Sequence, residues 1–126
     1  LVFDDGKRVI NMYRHMDGYP SGHGLELAEF LLPVKLCNGL TLVDTGRMAN
    51  GMGCLAAQIV AHFKDGVGAF YLESSARADN DYAYYVYGDS FEPSKGLRIV
   101  VKTGRKRLFE GTVQEFYDWC KKDGNV

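Results

Sequence analysis

Between Lys7 and Leu32 the hydrophobic period of the chain changes from two residues to 3.6 across one short break. "KRVINMYRHM" alternates: Val9, Asn11, Tyr13 and His15 share one face, and Ile10, Met12, Arg14 and Met16 share the other. "DGYPSGHG" then supplies three glycines and a proline, residues that punctuate a chain rather than extend it. "LELAEFLLPV" follows as a short helix. Leu25, Ala28 and Leu32 form its stripe with Leu31 beside it, Glu26 and Glu29 are solvated, and Pro33 limits it. A strand that hands over to a helix so abruptly confines the chain to folds that mix the two.

The remaining segments extend this pattern. "LVFD" and "RVINMYRHM" flank Asp5-Gly6, a strong hairpin signal. "LVFDDGK" reads as a strand already under way, so a few residues are expected before Leu1. From Val34 to Gly53 the pattern is irregular: Asn38-Gly39 marks a turn, and a short helix near Asp44 to Met48 is an option. "MGCLAAQIVAHFK" is the clearest helix. Leu55, Ile59 and Phe63 recur at four-residue steps beside Ala56 and Val60, Ala57 and Ala61 form a second face small enough for close packing, and Asp65-Gly66 closes it. "GAFYLES" and "DYAYYVYGD" bracket "SARADN", which predicts a second hairpin. "GLRIVVKT" sets Leu97, Ile99 and Val101 against Arg98, Val100 and Lys102, and "GRK" turns it into "RLFEG". Thr112-x-x-Glu115 is a capping box opening a last helix with the stripe Val113, Phe116, Tyr117 and Cys120, and Gly124 is its expected stop. The order is β-β-α-α-β-β-β-β-α. It predicts one α+β domain over residues 1–126, with a mixed or mainly antiparallel sheet of about six strands and two to three helices on one face.

A chain of 126 residues that is 46% hydrophobic can bury one core without disulfides or metals. The formal net charge of -1 gives no general pull toward nucleic acid or membrane, so any anion site must be local and neither partner is expected. No apolar run approaches the roughly 18 residues that span a bilayer. Cys37, Cys54 and Cys120 form neither a CxxC pair nor a zinc spacing and read as reduced thiols, which fits the cytoplasm of a bacterial cell. No cofactor or metal is expected.

"YRHMDGYPSGHG" concentrates the chemistry. Tyr13, His15 and Asp17 follow one another at the period of a strand face, so Asp17 could orient His15 as an acid–base pair. His23 stands at a helix entrance, where free N–H groups favour anions, and Arg14 and Tyr19 complete a set suited to a phosphate-bearing ligand. Turn chemistry offers a structural account of the same residues: Asp17-Gly18 starts a turn, Pro20 fixes φ, and Tyr19 packs on the first helical turn. Tyr13, His15, Asp17, Gly18, Tyr19, Pro20, Gly22 and Gly24 also resemble the motif of a set of small phage and prophage-associated proteins. In these a strand runs into His-x-Asp-Gly-Tyr-Pro, a turn and a helix; Met16 replaces their usual Trp. The resemblance implies a phage setting and little about mechanism.

"TGRMANGMGC" is the second candidate. Asn50, Gly51 and Gly53 lead into a helix whose amides could meet an anion clamped by Arg47. It lacks the Gly-Lys-Ser/Thr of a P-loop. His62 reads as a surface residue at a helix end, and Arg105-Lys106-Arg107 as a solvated hairpin tip. Tyr82 and Tyr84 share one strand face and Tyr85 and Tyr87 the other, suited to a packed sheet, a subunit interface or a base-stacking surface. Three functions follow as alternatives. The leading one is an accessory protein holding a small anionic, nucleotide-like ligand. The second is a small hydrolase or lyase using His15 and Asp17. The third is an interaction protein that forms homo-oligomers or meets a host protein through its tyrosines.

Overall fold

Asp5 and Gly6 both take positive φ, 49° and 80°, the geometry of the tight turn whose twist matches antiparallel strands. They join β1 (Val2–Asp4) to β2 (Lys7–Arg14), with Asp4 opposite Lys7. The structure, a computed structural model, describes residues 1–15, 17–39, 47–74 and 82–123. After β2 a π-helical turn, Pro20–Gly24, leads into α1 (Leu25–Leu31). Then come β3 (Lys35–Cys37), β4 (Met48–Asn50), α2 (Gly51–Phe63), β5 (Phe70–Glu73), β6 (Ala83–Gly88), β7 (Arg98–Thr103), β8 (Lys106–Thr112) and α3 (Val113–Asp123).

Six strands form one mixed sheet in the order β5-β2-β1-β6-β7-β8, so the α+β class and the sequence order of the principal elements hold. Among the described residues only β1 and β6 pair in parallel within it. The β7–β8 hairpin and the capping box form as expected: Glu115 accepts from the Thr112 N–H at 2.9 Å, and the Thr112 hydroxyl accepts from the Glu115 N–H at 3.2 Å. The core lies on one side of the sheet. Val2, Tyr84, Val86, Ile99 and Val101 meet Leu27, Leu31, Leu55, Ile59, Phe116 and Cys120 from the three helices. Strand alternation sends Phe3, Tyr85, Tyr87, Arg98 and Lys102 to the opposite side. Among the described residues no helix is long and apolar enough to cross a membrane.

Several local expectations change. β5 and β6 form no hairpin: β5 pairs with β2, β6 pairs with β1, and two strands separate them. Both also run in the same direction, which a tight turn cannot join. The "SARADN" turn itself and Gly124 lie outside the described residues. So do residues 44–46 of the optional helix, and Met48 belongs to β4, which pairs with β3 in a small parallel sheet where only irregular chain was expected. In α1 the buried side chains are Leu27, Ala28, Phe30 and Leu31, while Leu25 and Leu32 are only half-buried. The buried stripe is the face that packs into the common core beside α3. Ala57 and Ala61 face solvent rather than a packed neighbour.

Candidate functional site

The motif after β2 folds around close backbone approaches. Asp17 adopts φ 57°, a left-handed conformation that aspartate tolerates better than most residues. Its carbonyl accepts from the His23 N–H at 2.8 Å, which curls the chain into the π-helical turn. A Cβ at Gly22 would stand 2.6 Å from that carbonyl, and one at Gly24 3.0 Å from the Tyr84 hydroxyl and 3.2 Å from Cys120 Sγ. The Tyr84 hydroxyl donates to the Gly18 carbonyl at 2.6 Å, tying the loop to β6. The two glycines are thus explained by packing.

This fold gathers half of the expected site. β1 begins at Val2, whereas β2 and β6 run on past it, and between their free ends opens a cavity of about 350 Å³. Tyr13, Arg14, Asp17, Tyr19 and His23 all line it, with Asn11, Met12, Phe70, Tyr82 and Tyr84. Arg14 Nη1 bonds His23 Nδ1 at 2.9 Å and Glu26 at 2.5 Å. Arginine can only donate, so Nδ1 is the acceptor and the ring's proton sits on Nε2. His23 stands edge-on to Phe63 and Tyr84, at 5.1 and 5.4 Å between ring centres. Burial, reinforced by the charge of Arg14, lowers its pKa to about 3, so the imidazole is neutral at pH 7. The Arg14 guanidinium also lies 5.4 Å from the Phe63 ring centre.

The other half does not join it. His15 is exposed and its Nδ1 shares a 3.2 Å hydrogen bond with the Tyr13 hydroxyl. Asp17 accepts from the Tyr19 hydroxyl at 3.4 Å, so neither member of the expected acid–base pair hydrogen-bonds the other. His15, Asp17 and His23 gather no metal set: among the described residues no group of three or more His, Cys, Asp or Glu could hold an ion. The start of α2 is already occupied. Ser90 Oγ accepts from the Met52 N–H at 2.8 Å and donates to Asp4 at 2.7 Å, while the Asn50 side chain accepts from the Gly39 N–H at 2.7 Å. Gly51 takes φ 84° against Ser90, and a Cβ at Gly53 would meet nothing within 4 Å. One of these amides, that of Met52, is thus capped. Arg47 lies over the Phe30 ring at 4.5 Å. It does share an open cleft with Arg14 and His62, but Glu26, Glu29 and Asp65 line the same cleft and oppose an anion there. His62 is exposed at the end of α2, as expected, and stacks 4.5 Å from Phe30.

Asn11, Tyr82 and Tyr84 also line the cavity; the sequence offers the two tyrosines as a packed sheet, a subunit interface or a base-stacking surface, and places Asn11 only on a strand face. Nothing local could single them out, because their place depends on β6 lying one strand away from β2. A scan of family models finds no match to this chain, and searches of curated proteins and of solved structures find none either.

Proposed function

We propose that this chain is a phage-type accessory protein that binds a small anionic, nucleotide-like ligand in the cavity between the ends of β2 and β6. One observation carries the reading: six residues of a single twelve-residue motif converge with tyrosines of a distant strand on one concave space. Its volume of about 350 Å³ lies at the small end of ligand sites, which suits one mononucleotide-sized molecule. Arg14, ion-paired with Glu26 at 2.5 Å, supplies the positive charge beside the Asp17 carboxylate that also lines the cavity. Both of its hydrogen bonds leave through Nη1, so among the described residues the Nη2 edge remains for a phosphate or carboxylate. The neutral His23 adds a donor at Nε2 without a second charge to desolvate. Tyr13, Tyr19 and Tyr82 offer ring surface for a flat group. The glycine-rich start of α2 does not line this cavity, and Ser90 bonds its Met52 amide. The phage setting rests on the motif resemblance alone. A binder also fits the site better than a hydrolase or lyase, because His15 and Asp17 bond to different tyrosines.

A thermal-shift panel of mononucleotides and nucleotide second messengers tests this. A ligand at about 100 times its Kd stabilises the fold by about 2.7 kcal/mol. Wild-type protein should respond to at least one anionic member, and Arg14→Gln should fold and lose the response. A panel without any shift, or an equal shift in Arg14→Gln, would overturn the proposal.

A further inference from the structure

The sheet has a second side. Phe3 on β1 and Tyr85 and Tyr87 on β6 stand on the face away from the core, beside β7 and β8. Their rings are near-parallel: Phe3 lies 4.8 Å from Tyr87 at 18° and 6.0 Å from Tyr85 at 20°, and Tyr85 lies 6.4 Å from Tyr87 at 10°. None is fully buried, and among the described residues no helix packs on this face. Cations border the row. Lys102 Nζ stands 5.0 Å from the Tyr85 ring centre, and Arg98 and Arg107 share the single carboxylate Glu110. Arg105 and Lys106 continue the positive charge at the hairpin tip.

We infer that this face binds single-stranded nucleic acid, its bases stacking on the Phe3–Tyr85–Tyr87 row and its phosphates meeting Lys102, Arg98 and Arg107. Phe3 and Tyr87 stack on each other, so a base would stack on the outward faces of the row; such stacking tolerates any base, because every base has a π-face, and the flanking cations follow a backbone without reading its sequence. Charge selects this occupant over a second copy of the chain. A second copy would bring the same net positive charge to this face, whereas a polyphosphate brings the opposite one. A duplex presents no open base faces and would meet this face through its phosphates alone, so single strands gain the stacking term. This site is separate from the cavity: Phe3, Tyr85 and Tyr87 do not line it.

Fluorescence anisotropy with end-labelled oligo-dT and oligo-U of about twelve nucleotides, within the span of such platforms, provides the test. Saturable binding is expected in about 50 mM salt, with Tyr87→Ala weakening it by about tenfold and Tyr87→Phe retaining it. Raising salt to about 200 mM should weaken it by about tenfold or more if three phosphates are held. Lys102→Glu, a change with little packing at stake, should also lower affinity, which keeps the test open if Tyr87→Ala fails to fold. The inference is overturned by no binding at about 100 μM protein, the weak end of electrostatic association. Tyr87→Ala and Lys102→Glu that both bind like wild type would overturn it too. A dimer through this face that the oligonucleotide does not dissociate would assign the surface to a second copy instead.

Discussion

His23 shows how much one side chain depends on its neighbours. In the sequence it is a polar residue at a helix entrance; in the fold it is a neutral ring held by Arg14 beneath Phe63 and Tyr84. Its pKa falls from the ordinary 6.5 to about 3, first through burial and then through the Arg14 charge. The unfolded chain therefore takes up a proton near pH 6.5 that the folded protein refuses until about pH 3. Stability is full above the unfolded value and declines as pH falls toward the folded one, by up to about 1.4 kcal/mol per pH unit. Melting temperatures of wild type and His23→Gln between about pH 7 and pH 4 test the sign. The wild type should lose stability more steeply on acidification, and parallel curves would mean that His23 titrates as it does in water. The same ring argues against His23 as a proton shuttle at neutral pH, since its pKa lies far from the operating range.

Among the elements, α2 is the one whose role the structure alters most. Its glycine-rich start has the look of an anion site, but its first amides need partners in any fold. Ser90, from the turn after β6, supplies one, and Asp4 at the end of β1 holds Ser90 through both its hydroxyl and its N–H, the latter at 2.8 Å. The cap therefore fastens α2, β1 and the β6 end at one point. Ser90→Ala should cost about 1 kcal/mol in urea unfolding, the usual loss for a removed helix cap, or more because Asp4 loses a partner as well. It should leave ligand response in the cavity unchanged. A wild-type midpoint in the variant would show that the cap is dispensable. The α3 capping box, by contrast, is entirely local, which is why Thr112 and Glu115 could be paired from their spacing alone.

At the scale of the whole molecule, strand order decides what meets. β5 lies against β2, so Tyr13 faces Tyr71 across the pair. Replacing both with cysteine should give a disulfide detectable by peptide mass mapping, because directly opposed strand residues fall within bridging distance. Failure of this bridge to form on oxidation, or a bridge from position 71 to a native cysteine instead, would contradict the order β5-β2-β1-β6-β7-β8. That order also places the start of β6 across the cavity from Arg14 and sets Phe3 beside Tyr85 and Tyr87. The sequence by itself determined whatever short-range physics controls. Asp5-Gly6 dictates its turn, strand and helix periods mark α2, β7 and α3, the α+β class follows from their order, and Tyr13, Arg14 and His23 stand out as chemistry-bearing residues. Only the tertiary structure decided that β5 and β6 separate, that Ser90 closes α2, and that His15 turns away while His23 turns in. These outcomes depend on contacts between residues tens of positions apart, such as Met52 with Ser90 and Gly18 with Tyr84, and no local period encodes which distant partners will satisfy a buried polar group.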